Sequence, residues 1–188
     1  MGLENGDGYR EFLQKKSQLA NNSGFDPIWM PDFLFDFQAA LTEWALRKGR
    51  AALYEDCGTG KTVQELVWSQ NIVRKENKPV LILAPLAVSY QIVREGEKFG
   101  IECKRSTDGR VAGDITVTNY ERLEKFNSDD FAGAVCDESS CLKNFDGVRK
   151  AIITEFMRTR PYRLLCTATA APNDYIELSH GGLLVDQR

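Results

Sequence analysis

The stretch Asp56-Cys57-Gly58-Thr59-Gly60-Lys61-Thr62 decides the fold. It follows the short apolar run Ala51-Ala52-Leu53-Tyr54, which is typical of a buried strand. It also opens a segment with helical spacing, from Thr62 to about Val73. A strand, a glycine-bearing turn and a helix are the parts of a phosphate-binding loop, and this order of elements predicts one here.

The residue types in the turn suit that chemistry. Gly58 and Gly60 lack a Cβ, so the backbone can approach a phosphate and direct N–H groups at it. The helix presents its positive end to the same place, and Lys61 adds a full charge. The Thr62 hydroxyl is placed to bind Mg²⁺. The match departs from the full pattern G-x-x-x-x-G-K-[ST] because Glu55 stands where that pattern has its first glycine, which leaves a glycine-rich turn with an exposed lysine as the alternative.

Length and composition indicate one soluble globular domain. The chain has 188 residues, of which 43% are hydrophobic and 27% charged. Its net charge of −3 gives no global signal for nucleic acid, so any such binding needs a local patch. Lysines and arginines that can form one are Lys98, Lys104, Arg105, Arg110, Lys143, Arg149 and Lys150, although scattered solvated charges are an equal alternative.

Cysteine usage and hydropathy bear on the compartment. The five cysteines form no C-x-x-C pair and no ligand spacing with His180, the single histidine. We therefore expect reduced, mostly buried thiols and no structural zinc site. The N-terminus has no apolar signal core and no run is long enough to span a bilayer, so we predict a cytoplasmic protein without membrane contact.

Apolar runs alternate with segments of helical spacing along the whole chain. Strands are predicted at 51–54, 79–84, 101–104, 115–118, 132–136 and 163–166. Helices are predicted at 33–47, with Asp32 as the cap, and at 62–73, 88–99 and 145–157, with a helical turn at 120–125. This alternation predicts a three-layer α/β domain with a mainly parallel sheet.

The N-terminal region differs from the rest. Residues 1–8 are expected to be a disordered leader, and Tyr9–Ala20 a short helix. The segment Phe25–Pro31 holds large apolar side chains and two prolines, which favours an ordered cover over a linker. We therefore divide the chain into an N-terminal extension (1–30), a main α/β domain (31–178) and a tail (179–188).

Polar motifs follow the predicted strands, and ligands of open α/β sheets bind at that edge. Asp137-Glu138-Ser139-Ser140 follows the 132–136 run; one acid can hold Mg²⁺ through water while its neighbour orients or deprotonates the attacking water. Thr167-Ala168-Thr169 follows the last run, where a plain turn is the alternative. Gln38 carries an amide that can both donate to and accept from adenine, unless it is a solvated helix residue.

Six segments in this order resemble the Q, I, Ia, Ib, II and III motifs of superfamily 2 helicases. They are 35–38 (FDFQ), 56–62 (DCGTGKT), 83–86 (LAPL), 117–120 (VTNY), 136–140 (CDESS) and 167–169 (TAT). Further details, the stretches 85–88 (PLAV), 142–144 (LKN) and 168–173 (ATAAPN), look most like the Swi/Snf-type branch and related helicases of bacteriophages and prophages. The resemblance covers roughly Phe25 to Leu178.

The resemblance implies a RecA-like P-loop fold and a role for each matching position. The ATP- and Mg²⁺-binding residues would be Gln38, Gly58, Thr59, Gly60, Lys61 and Thr62. Asp137 would hold Mg²⁺ through water, and Glu138 would be the catalytic base. Thr167 and Thr169 would couple the nucleotide to domain movement, and a nucleic-acid track, DNA more than RNA, would run along Pro85, Thr118 and Asn119.

Two departures limit what the resemblance implies. Ser139-Ser140 replaces the Ala-His or Ala-Asp of many relatives, which removes one bridge to the coupling motif. These enzymes also need a second RecA-like domain, which supplies an arginine finger. Here the arginines after motif II do not serve: Arg163 begins a strand at the wrong end, and Arg158 and Arg160 are expected to be solvated.

The predicted function is therefore the first motor domain of an ATP-dependent helicase or translocase that hydrolyses ATP weakly when alone. The chain would be half of the motor, either naturally truncated or a fragment. A stand-alone ATP-binding module that acts through a partner protein is the main alternative. A small-molecule kinase is the third, against which the ordered motifs Ia, Ib and III argue.

Overall fold

The computed structural model describes residues 22–56, 58–139 and 145–168. Several predictions lie outside these residues, namely the leader and helix before Asn22, the tail 179–188 and the residues Cys57, Ser140, Cys141, Lys143 and Thr169. The strands are β1 (Arg50–Tyr54), β2 (Val80–Ala84), β3 (Lys104–Arg105), β4 (Ile115–Asn119), β5 (Gly133–Cys136) and β6 (Tyr162–Thr167). The helices are α1 (Asp36–Lys48), α2 (Lys61–Glu76), α3 (Leu86–Phe99) and α4 (Gly147–Arg158), with 3₁₀ helices at Tyr120–Lys125 and Ser128–Asp130.

The six strands form one sheet in the order β1-β6-β5-β2-β4-β3, and every neighbouring pair is parallel. Buried on both faces, β2 lies near the centre, because its continuous apolar run leaves no polar face for solvent. The predicted α/β architecture with a mainly parallel sheet is confirmed.

Helices cover both faces of the sheet. On β2, Val80, Ile82 and Ala84 join a core with α1, α2 and α3, and the alternate residues Leu81 and Leu83 join a second core with α4 and the first 3₁₀ helix. This alternation follows from the period of two along a strand. The result is the three-layer arrangement that the sequence predicts.

Two element boundaries differ from the sequence prediction. Helix α1 begins at Asp36 rather than near residue 33, because the Gln38 Oε1 atom accepts a hydrogen bond from the Phe35 N–H at 3.0 Å and caps the helix there, so Asp32 is not the cap. The edge strand is only Lys104–Arg105, because Ile101 and Cys103 turn into the core instead of pairing with β4.

The segment Phe25–Pro31 is an ordered cover, as predicted. Phe25, Trp29 and Met30 pack against the core. The buried Asn71 side chain on α2 holds the segment: its Oδ1 accepts from the N–H groups of Ile28 (2.8 Å) and Trp29 (2.9 Å), and its Nδ2 donates to the Trp29 carbonyl at 2.8 Å. Thus the last part of the N-terminal extension contributes to the domain core.

Two other sequence predictions concern thiols and membranes. Cys103, Cys136 and Cys166 are buried thiols that are not joined in a disulfide, as predicted. Within the described part of the chain, no helix combines the length and apolarity that crossing a bilayer requires.

Candidate active site

The sheet order brings three predicted motifs to one place. Strands β1, β6 and β5 are neighbours, and they lead into the phosphate loop, Thr167 and Asp137 respectively. Their carboxyl ends are level, since Tyr54 pairs with Thr167 and Leu165 pairs with Cys136. A ligand at this edge would meet all three motifs at once.

Both glycines of the loop have left-handed backbone conformations, with φ of +85° at Gly58 and +83° at Gly60. Gly60 is required for a second reason, because a Cβ there would lie 2.3 Å from the Gln38 Nε2 atom. A Cβ on Gly58 would meet no atom of the described residues within 4 Å, so these residues leave that side of the loop open. The loop thus combines a fixed backbone with an open face.

Lys61 is the first residue of α2, and its Nζ lies within the loop. It donates hydrogen bonds to the carbonyl oxygens of Glu55 (2.8 Å) and Asp56 (2.9 Å). The Thr59 hydroxyl also donates to the Asp56 carbonyl, at 3.0 Å. A positive charge at the N-terminal end of a helix is a suitable environment for an anion, so the geometry fits phosphate.

Glu55, which departs from the phosphate-loop pattern, anchors the loop. Its N–H donates to the Thr167 carbonyl at 3.1 Å and extends the pairing of β1 with β6. Its carboxylate accepts from Gln64 Nε2 on α2 at 2.9 Å. The loop is therefore tied to a strand and to a helix without the first glycine of the pattern.

Gln38 is buried against the loop and is not the solvated helix residue that the alternative interpretation requires. Its Nε2 donates to the Thr59 carbonyl at 2.7 Å, while its Oε1 caps α1 at Phe35. The amide is thus beside the nucleotide loop, with one donor on the loop itself. The contact with adenine stays a prediction.

Motif II turns sharply at the end of β5. The Asp137 N–H donates to the Leu83 carbonyl at 2.8 Å, and burial raises the pKa of the Asp137 carboxyl. Glu138 has a φ of +51°, a left-handed conformation that costs a residue with a Cβ on the order of 1 kcal/mol. The Glu138 Oε1 atom accepts a hydrogen bond from the Thr167 hydroxyl at 3.1 Å. The structure therefore brings the predicted base into contact with the predicted coupling residue.

Sequence reasoning missed an acid beneath this site. Glu65 on α2 is fully buried, and its carboxyl group lies beside the side chains of Asp137 and Cys166. Burial raises the pKa of Glu65 well above its usual range, and the neighbouring Asp137 carboxylate raises it further. Its position one turn after Lys61, on the buried face of α2, is the sequence signal that could have identified it.

The predicted nucleic-acid track lies at the ends of β2 and β4, where Ala84 pairs with Asn119. Pro85 precedes α3 and is partly exposed. Thr118 is buried and its hydroxyl donates to the Ser106 carbonyl at 2.9 Å, while the largely buried Asn119 Nδ2 donates to the Glu121 carboxylate. These residues share an edge, but two of the three side chains point inward, so their role on a track stays a prediction.

The basic residues near this edge are mostly paired. Lys104 contacts Glu102 at 2.6 Å and Arg110 contacts Asp108 at 3.6 Å. The Arg105 guanidinium lies 3.7 Å from the centroid of the Tyr90 ring. These pairings favour solvated surface charges over a dedicated basic patch.

One prediction about the arginines is wrong. Arg160 is not solvated: its side chain is buried, donates to the Phe131 carbonyl at 2.7 Å and pairs with Asp129 at 3.2 Å. The physical reason is that a buried carbonyl offers the guanidinium a partner inside the domain. Arg158 is half-exposed and pairs with Glu155.

Arg163 is buried near the start of β6, at the edge opposite the loop. Burial lowers its pKa to about 10, and the nearby charges of Arg50 and Arg158 contribute to the shift. Its position agrees with its exclusion as an arginine finger.

The residues at the β1-β6-β5 edge fit Mg-ATP. The loop supplies backbone N–H groups and the Lys61 charge, and the Thr62 hydroxyl and the Asp137 carboxylate are oxygen ligands of the kind Mg²⁺ prefers. Among the described residues, no group of three His, Cys, Asp or Glu side chains could hold a metal ion alone.

Comparison with known proteins gives remote relatives. No family model matches the chain. The chain is 27% identical to the "DNA annealing helicase and endonuclease ZRANB3" of Mus musculus over 73% of its own length and 14% of that protein. The chain is 29% identical to the Bos taurus protein of the same name, over 90% of its own length and 18% of that protein. It is 22% identical to the "SWI/SNF chromatin-remodeling complex subunit snf22" of Schizosaccharomyces pombe, over 80% of its own length and 10% of that protein. The chain thus spans less than a fifth of these relatives.

Two solved structures share the fold. The "Sulfolobus solfataricus SWI2/SNF2 ATPase core in complex with dsDNA" has a TM-score of 0.67 at 21% identity, covering 86% of this chain and 37% of that one. The "UvsW helicase from Bacteriophage T4" has a TM-score of 0.68 at 12% identity, covering 93% and 65%. The fold is that of RecA-like helicase domains. Relatives and neighbours together support a helicase-type motor domain for this chain.

Proposed function

We propose that the chain is the ATP-binding motor domain of an ATP-dependent helicase or translocase that acts on DNA. The observation that carries the proposal is the contact of Thr167 with Glu138 beside the phosphate loop, at the ends of three adjacent strands. A relative named a DNA annealing helicase and a neighbour solved with dsDNA favour DNA over RNA as the track. Relation to the phage branch and a cytoplasmic location are further parts of the proposal.

Each residue of the site has a distinct task in this function. Lys61 and the loop N–H groups would bind the phosphates, and Thr62 and Asp137, the latter through water, would hold Mg²⁺. When bound, Mg²⁺ neutralises charge on the phosphates. Glu138 would accept a proton from the attacking water, and the Thr167 hydroxyl holds its carboxylate in place. Gln38 would select adenine, and Thr169 would share the coupling role of Thr167.

An ATP-binding module that acts through a partner protein is a second candidate. The inward-pointing side chains of Thr118 and Asn119 favour it, because they leave less polar surface for a nucleic acid. The two functions differ in one measurable property: in a motor domain DNA changes the affinity for nucleotide, whereas in a module acting through a protein it does not.

The replacement Lys61→Ala tests nucleotide binding directly. It removes charge-assisted hydrogen bonds to the phosphates, so we expect Mg-ATP affinity to fall about 100-fold or more in calorimetry, with the fold intact. Lys75→Ala removes a lysine from the last turn of the same helix and should leave the affinity unchanged. Equal affinities of Lys61→Ala and wild type would refute the proposal.

A further inference from the structure

Tyr120 connects the two halves of the sheet edge. It directly follows β4 and the predicted track, and its ring is buried in the core with Leu123, 5.6 Å from the Phe145 ring. Its hydroxyl donates a hydrogen bond of 2.7 Å to the main-chain carbonyl of Asp137, seventeen residues away. A buried tyrosine hydroxyl needs a hydrogen-bond partner, and the partner of this one is a backbone carbonyl of motif II.

That bond acts on the residues of the nucleotide site. The carbonyl of Asp137 and the N–H of Glu138 belong to one planar peptide, so fixing the oxygen fixes the direction of the N–H. This N–H faces the Asp137 carboxylate. On the far side of the same peptide, Glu138 has its φ of +51°. The orientation of one peptide plane therefore sets both acidic side chains.

The turn is held from three directions. The Asp137 N–H is tied to Leu83 of β2, its carbonyl to Tyr120, and the Glu138 carboxylate to Thr167 of β6. A left-handed residue persists only where its surroundings determine it, and Tyr120 supplies one of the three bonds. Without it, the peptide can rotate, which takes the Glu138 N–H away from the Asp137 carboxylate and turns the Glu138 side chain.

We propose that Tyr120 is a positioning residue for motif II, through which the strand end that carries the predicted track is linked to the Mg²⁺ and base positions. The inference rests on the proposed function, because it concerns how Asp137 and Glu138 meet Mg-ATP. It assigns Tyr120 no contact with the nucleotide. Loss of the Tyr120 hydroxyl should therefore lower the affinity for nucleotide when Mg²⁺ is present and leave the affinity without Mg²⁺ unchanged.

Tyr120→Phe tests this with the loss of one oxygen atom. Calorimetry on residues 1–188 would measure affinity for a non-hydrolysable ATP analogue with Mg²⁺ and with EDTA. The affinity gain caused by Mg²⁺ should fall about tenfold in Tyr120→Phe, while the affinity in EDTA stays unchanged. A general loss of structure would lower both.

Tyr162→Phe is the matched control. It removes a tyrosine hydroxyl that donates to Glu76 at 2.8 Å, at the opposite end of the sheet, and the Mg²⁺-dependent gain should remain. If Mg²⁺ raises the affinity of Tyr120→Phe as much as that of wild type, the positioning role of Tyr120 is overturned and the proposed function still stands. Absence of any Mg²⁺-dependent gain in wild type would overturn the proposed function and this inference with it.

A second measurement covers the case in which Tyr120→Phe does not fold. With 3-fluorotyrosine placed at position 120 of the otherwise unchanged chain, the ¹⁹F resonance should shift when Mg²⁺ and the analogue are added together. The analogue in EDTA should leave it in place. The inference would be contradicted if the ¹⁹F resonance did not shift with Mg²⁺ although calorimetry showed that the analogue binds together with Mg²⁺.

Discussion

At the scale of single residues, Gln38 has a structural role and a proposed role in selecting adenine, and a comparison of ATP with GTP can separate them. Its amide holds the loop through the Thr59 carbonyl and, by the proposal, reads adenine. The wrong base leaves buried polar groups unpaired at about 1–3 kcal/mol each, so wild type should bind ATP at least about tenfold more tightly than GTP. Gln38→Ala should lose that preference.

Competition between ATP and GTP for a fluorescent analogue measures the preference directly. The control is Gln91→Ala, since Gln91 is an exposed glutamine on α3 whose amide donates to Glu95. Equal ATP and GTP affinities in wild type would show that Gln38 serves the loop alone.

Glu65 predicts a pH dependence of stability. Its pKa is raised in the folded state, so above the ordinary carboxyl range, about 4.3, the unfolded chain loses a proton that the folded chain keeps. The free energy of unfolding therefore falls as pH rises above that value, towards the raised folded pKa. Gln cannot ionise, so Glu65→Gln should be stabilised relative to wild type, and more at pH 8 than at pH 5.

Urea denaturation at the two pH values measures this difference. Glu97→Gln, at an exposed position of α3, should follow the wild-type pH dependence. A Glu65→Gln protein whose stability tracks wild type at both values would show that Glu65 is not held protonated.

At the scale of elements, the local sequence pattern predicts the buried strands, whereas boundaries that depend on tertiary contacts cannot be predicted from it. Apolar runs located five of the strands to within one or two residues, because a strand buried on both faces has to be apolar throughout. The start of α1 could not be predicted, since it depends on the Gln38 amide choosing Phe35 over the more usual cap Asp32. The strand predicted at 101–104 is wrong for the same kind of reason, because Ile101 packs in the core instead of pairing with β4.

The site divides in the same way. The phosphate loop and Asp137-Glu138 were predictable because their chemistry is contiguous in sequence. Tyr120 was not, although it belongs to a quoted motif, because its partner is seventeen residues away and is a backbone atom. Nor could the burial of Thr118 be predicted, since it depends on the path of the Ser106 strand end.

The attachment of the N-terminal cover to α2 predicts a large effect from one side chain. Asn71 makes four hydrogen bonds, three to Ile28 and Trp29 and one to the Val67 carbonyl at 2.8 Å. Asn71→Ala removes the partner of three part-buried backbone groups of Ile28 and Trp29, so the free energy of unfolding should fall by about 2–4 kcal/mol. Chemical denaturation measures it.

The control for this effect is Asn127→Ala. Asn127 caps a short exposed 3₁₀ helix through one bond of 3.1 Å to the Asp129 N–H, so its loss should cost about 1 kcal/mol or less. Equal losses in the free energy of unfolding for Asn71→Ala and Asn127→Ala would show that the Asn71 hydrogen bonds do not hold the N-terminal cover on α2.

At the scale of the whole molecule, the sheet order separates two tasks and joins them at one place. The ends of β1, β6 and β5 carry the nucleotide motifs, and the ends of β2 and β4 carry the predicted track. Strands β5 and β2 are the neighbours where the two groups meet, and the Tyr120 bond to Asp137 crosses there. A change at the predicted track would thus have a short mechanical route to the proposed Mg²⁺ site.

In the proposed function this arrangement would supply most parts of a phosphoryl-transfer site, but none of the arginines 158, 160 and 163 is placed to act as the finger. Arg158 is paired on the surface, Arg160 is bonded inside the domain, and Arg163 is buried at the opposite edge. An arginine finger stabilises charge that develops on the γ-phosphate and is typically worth 10³–10⁵ in rate. We therefore predict that residues 1–188 bind ATP but hydrolyse it very slowly, with little stimulation by DNA.

A steady-state ATPase assay with and without duplex DNA tests this, with Glu138→Gln as the control for contaminating activity. A second RecA-like domain, added in cis or in trans, should raise the rate by orders of magnitude, because it brings the missing positive charge to the open side of the loop at Gly58. Robust DNA-stimulated hydrolysis by residues 1–188 alone, lost in Glu138→Gln, would mean that the chain already contains its own finger. Replacing Arg149, in the first turn of α4, and the arginines outside the described residues, Arg10 and Arg188, by Ala one at a time would then identify the source.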